Sequence, residues 1–237
     1  MERVDGQEIL DSDGCSAGDV QGVLAALGWV NRWFGGVATS QKMVERVVQV
    51  TGAKKLSLLE VAAGSGEVPE KVSAEVARHG IKLDVMLLDR AWSHLPSNHR
   101  GNGTPISTNS GVVADALALP FGDAAFDLVS CSLFAHHLNA QQLAQFARES
   151  LRVSRRAVLI NDLIRHPVHL ALAYASFPLM RSRIAWLDGL TSVRRAYVPD
   201  EIRSMLASAF SAEVRVEIFR NYLYRMGVIV WKGAVSA

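Results

Sequence analysis

A chain of 237 residues, 49% of them hydrophobic, has the material for one globular domain with a large core. Its 25 Lys and Arg nearly balance 23 Asp and Glu, and the cations are scattered singly, which argues against a nucleic-acid partner. The two cysteines, Cys15 in a polar leader and Cys131 in an apolar run, suggest no disulfide framework and fit a reducing, cytoplasmic location. The acidic start MERVDGQEILDSDG lacks the basic head and apolar stretch of a signal peptide. The most apolar later run, VHLALAYASFPLM, is well short of the ~20 residues that cross a bilayer and contains Pro178, so no membrane span is expected.

Ser16 opens an S-x-x-D capping signature ending at Asp19. Val20, Val23, Leu24, Leu27, Val30 and Phe34 then recur at helical spacing until a Gly-Gly pair. With the helical run TSQKMVERVVQVTG, residues 1–54 read as an N-terminal helical cap. From Lys55 to the end at Ala237, short apolar strands alternate with helical patterns: KLSLLEVA, a helix near Val68 to His79, KLDVMLLD, GVVADA, FDLVSCSLF, the helix NAQQLAQFARESLRVS, and RAVLIND. Apolar strands separated by helices form a mainly parallel sheet covered on both faces, the doubly wound α/β class. After the helix PDEIRSMLASAF, the runs AEVRVEIF and YRMGVIVWK are too close for a parallel crossover and must pair as a hairpin, giving an antiparallel last strand. The polar stretch RGNGTPISTNSG reads as a surface loop.

The turn after the first strand, LLEVAAGSGEVPE, carries the chemistry. Its Gly64 and Gly66 suit a tight backbone close to a ligand. A dinucleotide loop would need a third glycine where Pro69 stands, and Glu67 at the helix start would compete with a phosphate for the positive end of the helix dipole. An acid-flanked turn instead suits a nucleoside with a cationic amino-acid tail.

This turn resembles the first motif of class I S-adenosylmethionine-dependent methyltransferases, small bacterial enzymes of quinone biosynthesis and secondary metabolism among them. Glu60 matches the motif's acid, Gly64 and Gly66 its second and third glycines, and Ala62 stands at the first glycine position, acceptable for close approach if its φ is negative. The resemblance implies a seven-stranded Rossmann-like sheet and S-adenosylmethionine as cofactor. It further implies that Asp89, followed by Arg90, takes the ribose hydroxyls, that Asp115 with Ala116 meets the adenine, and that Ser132 faces the methionine part.

Methyl transfer requires alignment of the acceptor and, for a hydroxyl, removal of its proton. His136 and His137 follow the fourth strand and Asp162 ends the fifth, so all three are expected to converge on the acceptor. His136 reads as the base, with an imidazole pKa near 6.5 that accepts a proton at neutral pH, and Asp162 as the carboxylate that orients it. His94, His99, His166 and His169 lie outside any compact ligand spacing, and no metal is expected. An insertion over residues 164–198 and the cap are expected to cover the acceptor, with Trp33, Phe34, His137, Tyr174 and Phe177 in the pocket. Arg181, Arg183, Arg194 and Arg195 read either as a solvated basic face or as partners of an acidic acceptor group.

The expected function is methyl transfer to a small, largely apolar acceptor, the hydroxyl of a phenolic, quinone-like or polyketide-type molecule. C-methylation, or a non-catalytic S-adenosylmethionine-binding regulator or partner protein, are the alternatives, with a nicotinamide oxidoreductase behind them. Oligomeric state is not legible.

Overall fold

The computed structural model describes residues 1–4, 6, 8–9, 16–95, 111–179, 182–210 and 214–233. The loop RGNGTPISTNSG up to Ser110, Cys15, His99, Met180 and Arg181 lie outside the described residues.

Helix α1 (Ala17–Trp33) begins at the expected Ser16, whose hydroxyl accepts from the Asp19 amide while the Asp19 carboxylate accepts from the Ser16 amide. The next helix, α2 (Gly36–Thr51), starts on the second glycine of the Gly-Gly pair, because Gly35 at φ 76° supplies the left-handed turn between them. The sheet strands are β1 (Lys55–Val61), β2 (Lys82–Asp89), β3 (Gly111–Val113), β4 (Phe126–Ser132), β5 (Ser154–Leu163), β6 (Val216–Asn221) and β7 (Arg225–Trp231). Between them run α3 (Glu67–Ala77), α4 (Ala140–Val153), α5 (Pro167–Ala175), α6 (Arg183–Arg195) and α7 (Pro199–Ala209).

The strand order is β3-β2-β1-β4-β5-β7-β6. β1 to β5 are mutually parallel, and β7 runs antiparallel to both β5 and β6. The expected hairpin therefore folds back, placing β7 inside β6. Two hydrophobic layers cover the sheet: Leu59, Val61, Val129 and Ile160 face α4 and α7, while Leu56, Leu58, Leu87 and Leu159 face α2 and α3. This two-sided burial explains why the strands read as apolar runs without alternation.

The order reverses between β1 and β4, and at such a switch point the strand ends splay around a crevice that binds ligands. At the far side of the crevice lies Arg225, 1% exposed, which donates to Asn161 Oδ1 on β5 (3.3 Å) and to Asn31 Oδ1 on α1 (3.1 Å). Asn161 also donates to the Gly36 carbonyl at 2.7 Å, so one buried network ties the cap to the sheet next to Asp162. No helix among the described residues is long and apolar enough to cross a membrane.

Candidate active site

A cavity of about 1260 Å³ opens at the C-terminal ends of β1, β2, β4 and β5, and residues of α1 and α6 line it from above. Its volume exceeds the ~300–1,000 Å³ usual for one drug-sized ligand, leaving room for a cofactor and an acceptor together.

Glu60, Ala62, Gly64, Asp89, Arg90, Asp115, Ala116 and Ser132 all line this cavity. Gly66 does not; it caps α3 at φ 71°, and a Cβ there would stand 2.6 Å from Leu87 Cδ1, so glycine is needed for packing as well as for the turn. Ala62 departs from expectation. Its φ is 53°, left-handed like that of Gly64, so the alanine keeps the backbone path of the glycine it replaces at the cost of local strain.

Glu60 is 3% exposed, and burial raises its pKa to about 7 against the hydrogen bonds from Ser130 and Ser132. Its partners are hydroxyls rather than a cation. A buried carboxyl of this kind fits an ammonium group arriving with a ligand, because the incoming charge returns what desolvation removed. Asp89 is also buried, yet its pKa is lowered: desolvation is outweighed by His94 and by the amides of Ala91 (3.0 Å) and Gly64 (2.9 Å). It therefore braces the glycine turn, a contact the sequence did not reveal, while facing the cavity as an acceptor for hydroxyls. Asp115 accepts from the Leu117 amide at 2.8 Å, which shapes the turn holding Ala116 at the cavity wall. These groups fit an adenosyl ligand with an amino-acid tail, and Glu67 at the first residue of α3 opposes a phosphate there.

Beyond the turn stands the acid–base group. His136 and His137 lie on a 3₁₀ turn, Ala135–His137, directly after β4. Asp162 Oδ1 is 2.7 Å from His136 Nδ1, and its Oδ2 accepts from the His136 amide at 2.9 Å. The carboxylate thus fixes the ring, and the buried Nε2 on its other side stands 3.3 Å from Glu8 Oε1. Burial lowers the His136 proton affinity, but the charge and hydrogen bond of Asp162, joined by Glu8, raise its pKa to about 9. This corrects the expected value near 6.5: the ring is an imidazolium at neutral pH. Asp162 in turn is held below the usual carboxylate range, its own burial overcome by His136 and two backbone amides.

Glu8 was not anticipated. It is 8% exposed, with Oε1 3.3 Å from His136 Nε2, Oε2 3.6 Å from His137 Nε2, and Oε1 accepting from Ser192 Oγ at 2.7 Å. No periodicity or turn marks it in the acidic leader, and tertiary contacts such as that with Ser192 of α6 bring it into place. Glu8, His136 and His137 offer ligand atoms within 4.8 Å of one another, the one group of three metal-capable side chains found among the described residues. Spacing along the sequence does not reveal this group, because Glu8 lies far from the histidines along the chain.

The aromatic lining was placed wrongly. Trp33 (59% exposed), Phe34, Tyr174 and Phe177 lie on the outer surface and do not line the cavity, whereas His137 does. The cavity face of α1 is instead Val20, Leu24, Leu27 and Asn31; Trp33 and Phe34 fall past it at the helix end, where Phe34 meets Trp29 and Tyr222. Tyr174 and Phe177 pack on Trp186 at the outside of α6. Arg195 is not a solvated residue either: it is 9% exposed, lines the cavity, and donates to the His137 carbonyl at 3.0 Å.

Residues 59–160 match the family described as "Methyltransferase domain". No curated protein matches the sequence. Among solved structures, a SAM-dependent methyltransferase from Aquifex aeolicus is similar at a TM-score of 0.60 and 15% identity, with 92% of this chain and 98% of that one covered. The plantazolicin methyltransferase BpumL, bound to a pentazolic substrate analogue and SAH, aligns at a TM-score of 0.65 and 12% identity over 92% of this chain and all of its own. Human N-acetylserotonin methyltransferase in complex with SAM aligns at 0.63 and 13% over 92% of this chain, which spans 57% of that larger protein.

Proposed function

We propose that the chain is a class I S-adenosylmethionine-dependent methyltransferase and that it methylates the hydroxyl of a small, largely apolar acceptor of phenolic, quinone-like or polyketide type. The observation that supports this is the His136–Asp162 pair, buried at the ends of β4 and β5 and facing the same cavity as Glu60. S-adenosylmethionine, when bound, supplies an electrophilic methyl carbon on a sulfonium. Glu60 holds the amino end, Asp89 the ribose, and Asp115 with Ala116 the adenine, with Ser132 beside the methionine part.

His136 Nε2 takes the acceptor proton while Asp162 holds Nδ1 and stabilises the resulting cation. A pKa of about 9 lies close to the ~10 of a phenol, so transfer between them is nearly balanced and the bound pair is readily phenolate and imidazolium. With a neutral phenol the free enzyme must first lose the His136 proton, so kcat/KM for a phenol rises with pH up to about 9. The charge scatter and the cysteine usage support a small-molecule acceptor met in the cytosol.

The test is incubation with S-adenosylmethionine and a panel of phenols and hydroxyquinones, scored by product mass. His136→Ala is expected to keep cofactor affinity near the parent's and to lower turnover ~10²-fold or more. Unchanged turnover at saturating acceptor would remove His136 from the chemistry.

A further inference from the structure

We propose that His136, His137 and Ser192 form a subsite for an anionic acceptor oxygen, a carboxylate or strongly acidic hydroxyl, and that Glu8 holds this place until the acceptor displaces it. The inference rests on the methyltransferase reading above and narrows its acceptor to acids.

Glu8 is a carboxylate already seated on those donors. One oxygen takes the Ser192 hydroxyl and stands 3.3 Å from His136 Nε2, and the other stands 3.6 Å from His137 Nε2. Two imidazole nitrogens and a hydroxyl around two oxygens suit a carboxylate. The His136 contact is loose: the atom is buried and makes no hydrogen bond, although a carboxylate oxygen is within reach. A better-aligned oxygen can therefore improve on Glu8 at this nitrogen. The donors themselves are built in. His136 is fixed by Asp162, His137 has its backbone carbonyl held by Arg195, and Ser192 lies one turn beyond Asp188 on α6.

Described residues on either side of Glu8 are held by contacts with α6, the residues just after it and the 3₁₀ turn. Arg3 donates to the carbonyls of Arg195 (2.7 Å) and His136 (3.0 Å) and lies 4.5 Å from the Tyr197 ring centre. The Val4 amide donates to the Arg194 carbonyl and the Ile9 amide to Asp188 Oδ1. The Arg3 and Val4 contacts are independent of Glu8, so the side chain can leave while the segment stays attached. An acid that is ionised at neutral pH meets the imidazolium directly, without the proton loss that a phenol demands. A cation held by Glu8, His136 and His137 is the competing use of the same atoms, but it gives Ser192 no part.

The test is calorimetric titration of the SAH-loaded, EDTA-treated full chain with benzoate and with its neutral counterpart benzamide. Glu8→Ala is expected to bind benzoate about tenfold or more tightly than the parent, because a tethered competitor is removed, with benzamide unchanged. Glu8→Gln should act in the same direction with the side-chain volume kept, and Ser192→Ala or His137→Gln added to Glu8→Ala should cancel the gain. Thermal melts check that each variant folds. Equal benzoate affinity in parent and Glu8→Ala, or equal gains for benzoate and benzamide, would overturn the proposal. Stoichiometric Zn(II) uptake lost in Glu8→Ala, with no benzoate binding, would overturn it in favour of a metal centre. Binding is read without turnover, so a failure of the hydroxyl-methylation reading appears separately as absence of product.

Discussion

Asp162→Asn tests the centre of the site, because it removes one charge and leaves an isosteric side chain. The His136 pKa stands at about 9 against an ordinary 6.5, which corresponds to about 3 kcal/mol of preference for the imidazolium in the folded protein. Burial works against this preference, and the charge and hydrogen bond of Asp162 rank ahead of the Glu8 carboxylate in overcoming it. Asp162 therefore supplies more than half, on the order of 2 kcal/mol. The stabilisation from His136 is complete below its unfolded pKa and is lost as pH rises through about 9, since its folded value is raised. That from Asp162 is present above about 3.8 and is lost as pH falls through its lower folded value. The variant should thus be less stable than the parent by about 2 kcal/mol near pH 7, and the gap should narrow toward pH 10. Urea melts at several pH values measure this, and long-range ¹⁵N spectra of the imidazole follow the titration itself. The His136 midpoint is expected near 9 in the parent and lower by about 1.5 pH units in Asp162→Asn, the equivalent of ~2 kcal/mol at ~1.36 kcal/mol per unit. A parent midpoint below 7, or one that Asp162→Asn leaves in place, would refute the reasoning.

Cofactor affinity should be flat above about pH 7 and weaken up to tenfold per pH unit below it, because Glu60 must be ionised to meet an ammonium group. Glu60→Gln should weaken binding at least tenfold and abolish that dependence, both read by calorimetry. Ala62→Gly relieves a left-handed alanine worth ~1–2 kcal/mol and adds ~0.4–1 kcal/mol of unfolded-chain entropy, so a net gain of about 0–1.6 kcal/mol is expected in chemical denaturation. Gly66→Ala at φ 71°, with Leu87 in the way, should cost more than 1 kcal/mol in the same assay. Cys131, fully buried with its thiol pKa pushed up by burial and by Glu60 and Asp162, should resist alkylation until the protein unfolds, as read by mass at its peptide.

The sequence by itself determined whatever depends on near neighbours along the chain. Strands such as LSLLEV and VMLLD announce a two-faced parallel sheet by their unbroken apolar character, and the few residues between β6 and β7 force an antiparallel pair. Ser16 with Asp19 marks a helix start, and Gly64 and Gly66 mark a turn that only small residues tolerate. The acids Glu60, Asp89, Asp115 and Asp162 sit at strand ends or just after them, so locating the strands located the acids. Tertiary structure alone decided which groups meet across the crevice. Glu8 reaches His136 and Ser192 from more than a hundred residues away, and the resulting charges, not the imidazole's own chemistry, set its proton affinity near 9. Composition marked Trp33, Phe34, Tyr174 and Phe177 as aromatic material for a pocket, yet the direction each faces followed from how α1 docks and how α5 packs on α6. Ala62 shows the same division at one residue: its small size is legible in the sequence, whereas its left-handed φ is imposed by the strand and helix that the turn must join.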